Sequence, residues 1–203
     1  MIEEAQKMII AGIIENDLDK VRLALNLGAD PNTKGSEGDP VLLIAAVKSQ
    51  KEIINLLLSA GANPDVKDGD EIHILDHVFF TQPYNEIAEL LISSGSGASM
   101  RDEDGNTALH MAARRHMAES CKILIERGAD VNAKNKDNDT PLHLVFWRHD
   151  LSSTPFNNAQ IETIEVLVKS GADLHSTGGD GLSSIELLLH YLREATISKT
   201  PNP

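Results

Sequence analysis

Apolar and polar positions are arranged in blocks along this chain. Short, mostly apolar runs at 24–27, 56–58, 90–92, 123–125 and 166–168 are each followed by a glycine: Gly28, Gly61, Gly95, Gly128 and Gly171. These glycines are 33, 34, 33 and 43 residues apart. A fixed period near 33 predicts a stacked array of one small unit, each touching only its neighbours. Ten residues after each glycine lies a second aligned column: Gly38, Glu71, Gly105, Asn138 and Gly181. A first helix is predicted just beyond it, over 40–46, 73–79, 107–113, 140–146 and 183–189. Thr107, Thr140 and Ser183 can supply N-cap oxygens, and Pro141 sits where a first-turn proline loses no hydrogen bond. A second helix is predicted over 52–58, 85–92, 119–125 and 162–168, with Glu52, Glu119 and Glu162 at the positive end of the helix dipole. The recurring glycine closes that helix as its C-cap. The ten polar residues between glycine and next helix, such as 129–137, read as an extended loop with a turn at its tip.

Two motifs recur in phase with this period. Thr140-Pro141-Leu142-His143, Thr107-Ala108-Leu109-His110 and Gly128-Ala129-Asp130-Val131-Asn132-Ala133-Lys134 are similar to the ankyrin repeat. The resemblance covers nearly the whole chain. It implies an all-α ankyrin-repeat solenoid of about six helix-turn-helix units with hairpin-like turns. The units fall at about 1–37, 38–70, 71–104, 105–137, 138–180 and 181–197, a single domain over 1–197 with a frayed tail at 198–203. The first unit lacks the Thr-Pro-Leu-His signature, and the last has only its first helix. The resemblance also implies a non-catalytic protein-interaction module, an adaptor or scaffold that binds a protein through turn tips and the inner helix face. His110 and His143 would bridge loop backbones. Asn32 and Asn132 align with the asparagine that asparaginyl hydroxylases modify in many such proteins. The alternative is that this asparagine stabilises its own turn. The other units carry Asp65, Ser99 and His175 there.

Composition narrows the partner. Of the 203 residues 41% are apolar and only 3% aromatic, so the core must be Leu, Ile, Val and Ala. A net charge of −13 would repel phosphates, which argues against nucleic acid or an anionic membrane and for a neutral or basic protein partner. Cys121 is the one cysteine and falls in a helical run, so it is expected to be a buried structural thiol. No apolar stretch approaches the roughly 20 residues of a membrane span. The start, Met1-Ile2-Glu3-Glu4, lacks a basic signal region. A cytoplasmic monomer is expected.

Candidate chemistry is sparse. His73 and His77 lie four apart, beside Glu71 and Asp76, a spacing that zinc sites use. Yet Asp76 stands where the motif has histidine and His73 where it has the threonine cap, so divergence explains the pair and no metal is assigned. No Ser-x-Gly elbow, Cys-x-x-Cys pair or phosphate-cradling loop occurs. Gly178-Gly179-Asp180-Gly181 follows no strand pattern. Neither a cofactor nor an enzyme is expected.

The departures from the rule carry the functional signal. The third and fifth units are longer, with the extra residues at 81–84 and within 149–159, between the helices. There Ala-Ala pairs give way to Val78-Phe79 and Val145-Phe146, followed by Phe80 and Trp147. Six of the seven aromatics cluster around these connections, with Arg114, Arg115 and His116 at the equivalent place between them. Aromatic and arginine side chains together compose interaction hot spots. The candidate contacts are Phe80, Tyr84, Arg114, Arg115, Trp147 and Phe156, while Phe79 and Phe146 read as core. A second candidate surface is an acidic band of turn tips, 68–71 and 102–104, represented by Asp70 and Asp104. At the C-terminal end Leu187, Leu188, Leu189, Tyr191 and Leu192 need a cover: the tail folded back, a partner, or a further domain. Two rival roles stay open: a host-directed effector of an intracellular microbe, acting in the host cytosol, or the targeting part of a larger enzyme.

Overall fold

The computed structural model of the chain describes residues 2–80, 85–97, 100–146 and 157–197. They hold eleven helices and no strand, and none of these helices is long and apolar enough to cross a membrane. The helices fall in two compact units, 1–97 and 98–203.

The first unit contains α1 (Ile2–Glu15), α2 (Leu18–Asn26), α3 (Val41–Val47), α4 (Lys51–Ser59), α5 (Ile74–Phe80) and α6 (Asn85–Ser93). Successive helices pair as hairpins, α1 with α2, α3 with α4 and α5 with α6. α3 packs between α1 and α5, and α2 lies against α4. Ile9, Ile13, Leu42, Ile54, Leu57, Ile74, Leu75, Leu91 and Ile92 are fully buried between them. Each such side chain contributes about 1.5–3 kcal/mol. The N-terminal stretch is a full helix of 14 residues.

The second unit contains α7 (Ala108–Arg114), α8 (Ala118–Glu126), α9 (Pro141–Leu144), α10 (Asn158–Lys169) and α11 (Ser184–Ile197). α9 lies between α7 and α11, and α8 packs on α10. The fifth unit departs from its sequence reading. α10 begins at Asn158, capped by Asn157, whose side chain accepts from Gln160 N while the Gln160 side chain accepts from Asn157 N. The end of the long connection is therefore an added helical turn, and Glu162 is displaced from the first turn. The rest of that connection, and residues 81–84, lie outside the described residues.

Both aligned columns are backbone devices. At Gly128 the chain turns left-handed, φ +91°. Its N–H donates to Ile125 O at 2.9 Å, and the Ala129 N–H to Leu124 O at 3.0 Å, closing the helix. A β-carbon there would touch nothing, so the conformation itself selects glycine. The tip column is left-handed too, even where it is not glycine: Glu71 has φ +62° and Asn138 φ +63°. Around three of the tips the chain doubles back, with isolated bridges Lys34–Pro40, Lys67–His73 and Thr177–Ser183.

Candidate protein-interaction surfaces

Thr107 and His110 form a reciprocal cap, the threonine backbone N–H donating to His110 Nδ1 at 3.1 Å. With Nδ1 accepting, the proton is on Nε2, which donates to Asp139 O of the next loop at 2.9 Å. Burial drives the His110 pKa down, overcoming the opposing bond to Asp139, so the ring is neutral at pH 7. His143 makes the same cap with Thr140, at 3.1 Å. Among the described residues the expected bridge is missing at this position, and His143 Nε2 is buried without a hydrogen-bond partner. The backbone of Gly178 lies directly on the ring, where a β-carbon would come within 2.7 Å of Cδ2. Close approach thus accounts for Gly178 and Gly179, whose β-carbons would meet His143 and Asp137, whereas Gly181 is left-handed, φ +79°.

The asparagines do more than steady their own turns. Asn32 donates from Nδ2 to Gly61 O at 3.3 Å, and its Oδ1 accepts from Asn63 N at 2.7 Å. Asn132 repeats this with Gly171 O at 3.0 Å and Asp173 N at 2.7 Å. Each clamps the start of the following loop, although both side chains remain exposed. The amides thus hold the next loop rather than the turn they sit in.

His73 and His77 do not converge. His73 Nε2 lies 2.7 Å from Asp65 Oδ1, while its Nδ1 accepts from Leu75 N at 3.1 Å and caps α5. His77 Nε2 is 2.8 Å from Asp68 Oδ2. Among the described residues no group of three potential metal ligands comes together. Asp68 also accepts from the Asp70 and Ile72 N–H groups, both at 2.9 Å. Burial tends to raise its pKa, but these bonds and His77 outweigh burial and hold it below the ordinary carboxylate value. Asp102 plays the same part, accepting from Asp104 N at 3.0 Å and Asn106 N at 2.7 Å. The acidic band therefore divides. Asp68 and Asp102 organise their tips from within, whereas Asp70 and Asp104 are exposed.

Among the aromatic candidates, Phe79 and Phe146 are buried and Phe80 is 56% exposed. Arg114 and Arg115 are half-buried. Tyr84, Trp147 and Phe156 lie outside the described residues. Two members of the surface were missed in the sequence, Ile14 and Val47, which are 59% and 48% exposed. Their signal was register: they precede Phe80 by two periods and one period of 33 residues, at the ends of α1 and α3. They were overlooked because they are aliphatic.

The comparisons with known proteins bear on this arrangement of paired helices, turned loops and cross-loop histidines. A family model described as ankyrin repeats (three copies) matches residues 77–178, half of the chain, and a single ankyrin-repeat model matches 37–69. The chain belongs to the ankyrin repeat family. Its fold is similar to that in the crystal structure of EF0377, an ankyrin repeat protein, with a TM-score of 0.75 over 97% of this chain and 98% of that one, at 19% identity. Ankyrin repeats are generally protein-interaction modules, so the exposed residues of this ankyrin array matter more than any buried polar group. An E3 ubiquitin-protein ligase of Arabidopsis thaliana is 30% identical over 52% of the chain and 7% of the ligase. The human transient receptor potential cation channel subfamily A member 1 is 35% identical over 45% of the chain and 8% of the channel. A putative ankyrin repeat-containing protein of Treponema pallidum is 28% identical over 54% of the chain and 37% of that protein. The chain thus spans well under half the length of these relatives.

Proposed function

We propose that this ankyrin array is a non-catalytic adaptor or scaffold that binds a neutral or basic protein through its inner helix ends and exposed turn tips. The observation that carries the reading is the exposed apolar register Ile14, Val47 and Phe80, each at the end of an inner helix. Ile14 and Val47 line one groove, and contiguous exposed apolar surface marks interaction sites. Arg114, Arg115, Tyr84, Trp147 and Phe156 extend the candidate contacts, and Asp70 and Asp104 are the acidic ones. The single-domain partition over 1–197 and the cytoplasmic, monomeric state belong to the same reading. Asn32 and Asn132 are proposed hydroxylation sites because their clamping amides are exposed.

A second reading takes the array as the targeting part of a larger enzyme or as a host-directed effector. The first of these is favoured by one relative, an E3 ubiquitin-protein ligase of which the match is a small part. Affinity capture with the purified chain, followed by mass spectrometry, distinguishes the readings by what is recovered. Phe80→Ser, Arg114→Ala, Trp147→Ala and a doubly charge-reversed Asp70/Asp104 variant assign the surface. Loss of the captured protein with Phe80→Ser or Trp147→Ala supports the helix-end surface. Its loss with the charge reversals supports the tips, and retention by every variant overturns both.

A further inference from the structure

We propose that a groove in the first unit takes a segment of a partner protein in which one or two aliphatic side chains are flanked by lysine or arginine. This rests on the interaction reading above and specifies its partner class. The groove lies between the ends of α1 and α3 and the loop that doubles back at Lys34–Pro40. Its volume is about 460 Å³, within the range of sites that enclose small groups of side chains. Ile10, Ile14, Ile44 and Val47 make an apolar floor. Two of these are about half exposed and would be desolvated by an aliphatic side chain laid against them.

Charge selects what flanks that side chain. Glu37 and Asp39 stand at the loop rim, and neither is in an ion pair among the described residues. Asp68 lines the groove as well, its carboxylate held by the bonds already described. Lys48 and His77 also line the groove, so three carboxylates face one ammonium and one imidazole that is itself bonded to Asp68. With a chain charge of −13 behind them, these carboxylates would repel an acidic segment and steer a basic one to the rim. The apolar floor would then hold it, because desolvated aliphatic contacts rather than rim charges dominate retention. The corresponding helix end in the fourth repeat carries Arg114, so this combination is particular to the first unit.

The test uses the full chain and three fluorescent peptides of alternating composition: leucine with lysine, serine with lysine, and leucine with glutamate. Fluorescence anisotropy is read at two salt concentrations, with circular dichroism confirming that each variant is folded. The leucine–lysine peptide is expected to bind at least tenfold more tightly than the other two, and more weakly at high salt. Ile14→Ser/Val47→Ser and Glu37→Gln/Asp39→Asn are each expected to weaken it about tenfold, whereas Glu126→Gln/Glu162→Gln, at exposed positions outside both candidate surfaces, leaves it unchanged. Equal weakening by the last variant would show diffuse charge attraction and overturn the proposal. So would binding of the leucine–glutamate peptide with equal affinity. If the groove variants bind normally while Phe80→Ser abolishes capture of a protein partner, the groove proposal fails and the broader interaction reading stands.

Discussion

His73 Nε2 and Asp65 Oδ1 lie 2.7 Å apart, and the contact replaces two features of the repeat at once. Asp65 occupies the position of Asn32 and Asn132, and its Oδ1 still accepts from the following loop, from Gly97 N at 2.8 Å. A carboxylate has no donor to offer the neighbouring glycine carbonyl, and here it takes a hydrogen bond from histidine instead. His73 in turn stands in for the threonine cap by accepting from Leu75 N at 3.1 Å. Two substitutions that look like separate losses in the sequence are one exchange in the structure.

That exchange isolates the value of the asparagine clamp. Asn132→Asp retains the acceptor for Asp173 N and loses the donor to Gly171 O, whereas Asn132→Ala loses both. The expected destabilisation is about 0.5–1 kcal/mol for the first and about 1–2 kcal/mol for the second. Thermal melts at one pH order them, and equal losses would place the energy in the donor half alone.

Glu71 carries a left-handed backbone, φ +62°, at a column elsewhere filled by glycine or asparagine. Its contact with Lys67, at 3.3 Å, is exposed and contributes little. Glu71→Gly is expected to stabilise the chain by about 0.5–1 kcal/mol, less than the full left-handed strain because glycine also frees the unfolded chain. Glu71→Ala should show no such gain. Urea denaturation of the pair provides the check.

Acid should weaken the fold in two stages. His110 has its pKa lowered by burial, so the unfolded chain binds its proton first. Its contribution is complete above the ordinary histidine value near 6.5 and is lost as pH falls below it. Asp68, also lowered, contributes fully above the carboxylate range and is lost only in stronger acid. Melting temperatures between neutral and acid pH should fall first through the histidine step. That step should shrink in His110→Gln after allowance for its lower starting stability.

Cys121 is fully buried, and burial pushes its thiol up to about 12. The thiolate is the reacting form, so aromatic disulfide reagents at pH 8 should leave the native thiol untouched and modify it only on unfolding. Rapid labelling of the native chain would contradict this placement.

Phe80 is expected to tolerate Phe80→Ser with a stability change within about 0.5 kcal/mol, as for other surface substitutions. Phe79→Ser, one residue away but buried, should cost several kcal/mol. Parallel melts and capture experiments on the two variants separate binding from folding.

Most of the array is written locally. A period of 33, a glycine at each helix end and Thr-x-x-His caps depend on hydrogen bonds within a few residues, so residue order alone determines helix, turn and repeat class. The added turn of α10 was missed because its signal, Asn157 with Gln160, sits inside an irregular insertion. What residue order left open concerns which side chains turn toward which partner. The clamps of Asn32 and Asn132 need two loops at hydrogen-bond distance. The division of the acidic band into inner and outer carboxylates and the pairing of His73 with Asp65 stay within one loop and its helix, but depend on how that loop folds back. Exposure was likewise decided only by packing. Ile14, Val47 and Phe80 are as apolar as the core residues beside them, and the stacking of α1, α3 and α5 determines which face of each helix is left to water.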